Sequence, residues 1–268
     1  SIPESFTDSF IQWMKERHGY EINPLWIRYS PGVVPAIYWI IQMLTEIEDS
    51  VALMSPVYYP FANAIRDTSR TLVDVPLVKD ENGYYTMDLE NFEATVQKKD
   101  VKLFILCSPH NPVGRVWREE ELRNLLDVCR RNGVYVIADE IHHDLIMPGH
   151  RQITAATAGD YDSILITLTS ASKTFNLASC QNAMAIIPND ALRAKYDAMT
   201  RRIKTQSGSS FGYVAYEAAF RGGKEWLEQA IRLIYGNYQI LVKGLKQKLP
   251  EAVVSQLEGT YLAWVDLS

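Results

Sequence analysis

Apolar residues fall along this chain in unbroken runs more often than in alternation. Six such runs read as strands: Val51–Ser55, Leu72–Leu77, Val101–Ser108, Val134–Glu140, Ser163–Ser170 and Ala183–Pro188. They are rich in β-branched and aliphatic side chains and lack a polar face, the pattern of strands covered on both sides. Between several of them the spacing turns helical. In "PAIYWIIQMLTEI", 35–47, Pro35 suits a first helical turn. In "REEELRNLLDVCRRNG", 118–133, acids lead, bases close and Gly133 stops the helix, all in accord with the helix dipole. Strands alternating with helices predict an α/β fold with a mostly parallel central sheet flanked by helices.

Beyond about residue 190 the pattern becomes helical over long stretches, broken at Gly222–Gly223. The closing "GTYLAWVDLS", 259–268, then reads as one more strand without a partner. A strand needs a ladder, so the chain is expected to be incomplete.

Composition narrows the function classes. The chain has 268 residues, 47% of them hydrophobic, enough for a large core. Its net charge of −5, with no basic cluster, lacks the footprint of a nucleic-acid binder. No window approaches the ~20 apolar residues of a membrane span, and no signal-peptide pattern opens the chain. Cys107, Cys129 and Cys180 are odd in number and lack metal-ligand spacing; they read as reduced core cysteines of a cytoplasmic protein. His142 and His143 are adjacent, but nothing in the sequence completes a metal site around them, and none is expected.

Binding sites of open α/β sheets form in the loops beyond the carboxyl ends of the strands. Four polar groups fall there: "CSPHNPVGRVW" with Asn111, "ADEIHHDL" with Asp139 and His142, "TSASKTFN" with Ser170, Ser172 and Lys173, and the turn "SPGVVP" with Gly32, Val33 and Val34. A lysine beside hydroxyls and a helix N-terminus suits a Schiff base to an aldehyde that also carries a phosphate. Asp139 suits a protonated pyridine nitrogen, Asn111 and His142 a phenolate oxygen, and Tyr58 the face of a ring. The cofactor this points to is pyridoxal 5′-phosphate (PLP). Taken singly, each residue has a plainer reading: Lys173 a solvated surface lysine, Asp139 a helix cap or half of an ion pair, Tyr58 a packing residue, His142 a satisfied polar group, Arg115 a surface base. One glycine before a helix is ordinary. Only the ordered combination argues for a site.

Asn111-Pro112-x-Gly114, Asp139-Glu140-Ile141 and Ser170-x-Ser172-Lys173-Thr174-Phe175 together resemble the fold-type I PLP enzymes of the aminotransferase superfamily. The further stretches "SPGVVPAI", "PVYYPF", "DEIHHDL" and "TYLAWVDLS" resemble most the MalY/PatB-type cystathionine β-lyases, or C–S lyases. The resemblance implies the large domain of that fold over 1–240, with 241–268 the end of a linking helix and the first strand of a truncated small domain. It implies Lys173 as the residue that bonds PLP, Asp139 at the pyridine nitrogen, Asn111 at the ring hydroxyl, Tyr58 on the ring, and Ser170 and Ser172 at the phosphate. It implies a cytoplasmic homodimer acting on a small amino acid, with α,β-elimination from L-cystathionine or a related S-substituted L-cysteine. Many aminotransferases have tyrosine where His142 stands and arginine where Gln181 stands; the lyase branch shares both departures. Two other readings stay open: an aminotransferase, and a non-catalytic regulatory or interaction protein on the same fold. A nucleotide-binding domain is disfavoured, since neither G-x-G-x-x-G nor a P-loop is present.

Overall fold

The computed structural model describes residues 2–268. Its central sheet has seven strands: β1 (Ile27–Ser30), β2 (Ser50–Leu53), β3 (Thr71–Asp74), β4 (Val101–Cys107), β5 (Tyr135–Asp139), β6 (Leu165–Thr169) and β7 (Ala183–Ile186). Their spatial order is β1-β7-β6-β5-β4-β2-β3. From β3 to β6 all neighbours are parallel, whereas β7 is antiparallel to both β6 and β1. Hence β1 points the same way as the parallel five. The helices are α1 (Glu4–His18), α2 (Val33–Leu44), α3 (Pro60–Asp67), α4 (Leu89–Lys99), α5 (Glu119–Arg131), α6 (Ala171–Thr174), α7 (Asp190–Arg202), α8 (Ser210–Gly222) and α9 (Lys224–Lys248).

Both faces of the sheet are covered, which explains the missing polar face in the strands. Along β4, Phe104 and Leu106 pack with Phe92 of α4 and Leu122, Leu125 and Leu126 of α5. Leu103 and Ile105 pack on the other side with Ile37 and Ile40 of α2 and Phe61 and Ile65 of α3. A third cluster joins Phe6, Phe10 and Trp13 of α1 to Tyr213, Tyr216 and Phe220 of α8. The Phe6 and Tyr213 ring centres are 5.1 Å apart.

All six expected strands are present, each shorter than its apolar run. The seventh, β1, falls in "IRYS", whose Arg28 and Tyr29 are only half-buried and interrupt any apolar run. The expected break at Gly222–Gly223 is real: a Cβ on Gly223 would meet the Phe175 ring at 2.4 Å and the Ala219 carbonyl at 2.5 Å. Cys107 and Cys129 are buried and Cys180 half-buried, all three as free thiols. Among the described residues no helix is long and apolar enough to cross a membrane.

Two expectations need correcting. Segment 259–268 is not one unpaired strand. Only Val265–Asp266 adopts ladder geometry, and it pairs antiparallel with Val253–Val254. Polar ties also hold the tail: Trp264 Nε1–H donates to Tyr85 Oη at 3.0 Å, and Lys79 pairs with Asp266. Arg115, moreover, is no surface base, being 2% exposed. Its guanidinium donates to Glu258 (3.0 Å), to Glu121 (2.8 Å) and to the Tyr85 carbonyl, between the rings of Tyr84 and Trp117. Glu258 also accepts from the Val116 N–H at 2.8 Å. Arg115→Ala would leave that carboxylate buried and unpaired, at a cost of about 3–5 kcal/mol. Thermal unfolding should show a midpoint lower by on the order of 10 °C. An unchanged midpoint would mean that the tail is held by other contacts.

Candidate active site

The carboxyl ends of β2, β4, β5 and β6 open on one cavity of about 360 Å³. All ten residues singled out in the sequence line it. Tyr58 comes from the turn between β2 and α3, Asn111 from the loop after β4, and Asp139 is the last residue of β5, with His142 three positions on. Ser170, Ser172 and Lys173 follow β6 directly. Gly32, Val33 and Val34 begin α2, delivered to the same edge because β1 runs parallel to β6. The first amides of α2 have no intrahelical acceptor, so this wall offers free donors and the positive end of a helix dipole to an anion.

The Lys173 turn is built by Ser170. Its hydroxyl accepts the Ser172 N–H at 3.1 Å, capping α6, and donates to the Asn182 carbonyl at 2.7 Å. Tyr216 Oη lies 3.0 Å from both the Ser170 hydroxyl and that carbonyl. Ser170 is therefore engaged chiefly in shaping the turn, while Ser172 and the α2 amides lie along the cavity wall.

The electrostatics are those of buried groups awaiting a partner. Burial pushes the Asp139 carboxyl up to about 7; the Ile141 N–H at 3.1 Å and the nearby Lys173 charge pull it down, and Glu140 pushes it up. Glu140 is likewise raised to about 7 by burial, partly offset by Thr154 Oγ1 at 2.5 Å and the Ala155 N–H at 2.7 Å. Burial, the Lys173 charge and His143 lower His142 to about 3, so its imidazole is neutral. His142 is not a satisfied polar group: its buried Nδ1 has no partner among the described residues. Burial also pushes the Cys107 thiol up, away from thiolate reactivity.

An amine, a buried carboxyl without a cationic hydrogen-bond partner, an orphaned imidazole nitrogen, an aromatic ring and a helix N-terminus converge on one cavity. This donor set fits a phosphorylated pyridine aldehyde. Three further wall residues have no counterpart among the sequence candidates. Tyr216 and Asn182 hold the Lys173 turn, and the Tyr261 ring stands edge-on to His142 at 5.3 Å. They come from α8, the loop before β7 and the tail, and Tyr216 and Tyr261 lie far along the chain from Lys173. Gln181 also lies in the wall.

Comparison with known proteins agrees with this geometry. The family model described as aminotransferase class I and II matches residues 2–268. The cystathionine beta-lyase PatB of Bacillus subtilis is 38% identical over 97% of this chain and 67% of its own length. Protein MalY of Escherichia coli is 32% identical over 98% of this chain and 67% of its own. The crystal structure of cystalysin from Treponema denticola, which contains a pyridoxal 5′-phosphate cofactor, superposes with a TM-score of 0.96 at 34% identity, covering 99% of this chain and 68% of that one. Fold, cavity and sequence thus lead to one assignment: this chain belongs to the class I and II aminotransferase family.

Proposed function

We propose that this chain carries the cofactor-binding site of a PLP-dependent C–S lyase, which eliminates a thiol from L-cystathionine or a related S-substituted L-cysteine and leaves pyruvate and ammonia. The observation that carries the reading is the convergence of Lys173, Asp139, Asn111 and His142 on one cavity beside the α2 N-terminus. The likeness to PatB, a cystathionine beta-lyase, supports elimination over transamination.

When bound, PLP supplies an aldehyde that captures an amine and a ring that withdraws electrons from the captured carbon. Lys173 would hold the aldehyde, and its amine, when free, would take the Cα proton of the substrate. Asp139 would keep a proton on the ring nitrogen, a cationic partner for its buried carboxyl. Asn111 and neutral His142 would hold the polar edge of the ring, and Tyr58 would offer its own ring as a stacking surface. Ser172 and the amides of Gly32, Val33 and Val34 would hold the phosphate, with Ser170 as the cap that aims Ser172. The sulfur departs from Cβ as a thiolate, a good leaving group that needs no strong acid. We assign residues 1–240 to the PLP-binding large domain and 241–268 to the start of a small one, in a cytoplasmic homodimer.

The test is an assay of the PLP-loaded protein with L-cystathionine and no keto acid. Pyruvate and ammonia in equal amounts over many turnovers are expected. One turnover followed by a halt that a keto acid relieves would identify an aminotransferase instead.

A further inference from the structure

We propose that Asp144 is a positioning residue for Lys173: through Thr174 it fixes the turn that carries the lysine, and through Trp13, Arg17 and His18 it ties that turn to helix α1. This rests on the role given to Lys173 above.

Helix α6 has only four residues, so it cannot hold its own shape. Ser170 anchors its start. At its end Thr174, the residue after Lys173, is buried and donates from Oγ1 to Asp144 Oδ2 at 2.8 Å. Asp144 is itself fully buried and sits in the loop that follows β5, the loop of His142. Three residues on one side of α1 close on the same carboxylate. Trp13 Nε1–H lies 3.1 and 3.2 Å from its two oxygens, Arg17 Nε 3.1 Å from Oδ1 and His18 Nε2 2.7 Å from Oδ1. Arg17 also donates to the Asp144 carbonyl at 3.2 Å and to Glu228 of α9 at 2.8 Å.

A carboxylate has about four lone-pair sites, and these four side chains fill them together with His143 of the same loop, whose Nε2 lies 3.3 Å from Oδ2. The residue is therefore a joint between α1, the His142 loop and the lysine turn, and not a spare acid. His18, His143 and Asp144 do bring their ligand atoms within 4.8 Å of one another, as a metal site would. A divalent ion there would have to compete with the Arg17 guanidinium for Asp144 Oδ1. The two imidazoles are instead stacked on each other, with ring centres 4.3 Å apart.

The joint predicts that losing one hydroxyl, outside the cavity wall, should disturb chemistry inside it. The test compares Thr174→Val, Thr174→Ser and Trp13→Phe with the parent, as PLP-loaded protein. Thr174→Val should lower kcat by roughly tenfold or more through misplacement of the lysine, with KM within about twofold. Thr174→Ser restores the donor and should keep the parent kcat. Trp13→Phe removes a donor from the far side of the carboxylate and should shift the pH midpoint of the cofactor absorbance in the same direction as Thr174→Val. A readout independent of activity is amide exchange in the cofactor-free protein, where Thr174→Val should speed exchange in both 171–175 and 4–18. Parent-like kcat and parent-like exchange in Thr174→Val would overturn the proposal, as would equal loss in the serine variant. A parent protein with no visible, reducible PLP absorbance would instead defeat the role of Lys173 itself.

Discussion

Replacing Lys173 by alanine is expected to erase the visible absorbance of the PLP-loaded protein and to cut C–S lyase turnover by about 10³-fold or more. Two functions fall together in this variant, because one amine both bonds the cofactor aldehyde and moves the Cα proton. Among the described residues no other lysine or arginine lines the cavity, so no neighbour substitutes for it. Lys173→Arg sharpens the test. It keeps the positive charge beside Asp139 and His142, yet a guanidinium does not give up its proton at any working pH. The arginine variant should therefore be as inactive as the alanine one. If charge alone mattered, the arginine variant would retain activity. Parent absorbance and turnover in the alanine variant would end the assignment of this cavity as a PLP site.

The sequence reveals the sheet because β2 and β4 to β7 are buried on both faces. An unbroken apolar run such as "VKLFILC" is too short for a buried helix and too apolar for a loop, which leaves a covered strand. It reveals the site because each motif is local: Lys173 with Ser170 and Ser172, Asp139 with His142, and Asn111 each lie within a few residues at one strand end. What it hides is whatever depends on distant partners. "IRYS" carries no apolar run, and only its pairing with β7 makes it a strand. The tail looks like a strand by composition, but only Val265 and Asp266 find ladder partners, in Val253–Val254, while the Trp264 indole is engaged by Tyr85. Arg115 looks like a surface base because Glu258, 143 positions on, is invisible to a local reading. Asp144 sits inside a legible motif, yet its partners Trp13, Arg17 and His18 belong to a helix more than a hundred residues earlier.

Asp139→Asn is expected to slow elimination by about 10²–10³-fold, the usual loss when one preorganised electrostatic group is removed, while PLP stays bound through Lys173 and the phosphate contacts. The same substitution has a signature that does not depend on turnover. Without cofactor, burial raises the folded carboxyl from 3.8 to about 7. Between those values the folded chain keeps a proton that the unfolded chain has released, so stability falls as pH rises through this window and stays low above it. Glu140, raised from 4.5 to about 7, contributes with the same sign. An amide at position 139 carries no charge at any pH. The cofactor-free Asn variant should therefore be more stable than the parent above pH 7, and its midpoint should fall less steeply between pH 4 and 7, with the Glu140 part of the slope remaining. PLP loading should flatten the slope of the parent, because a cationic ring nitrogen stabilises the ionised carboxylate, and should do so much less in the variant. Equal slopes in parent and variant, with turnover undiminished, would mean that the buried acid at the end of β5 has no part in holding the ring.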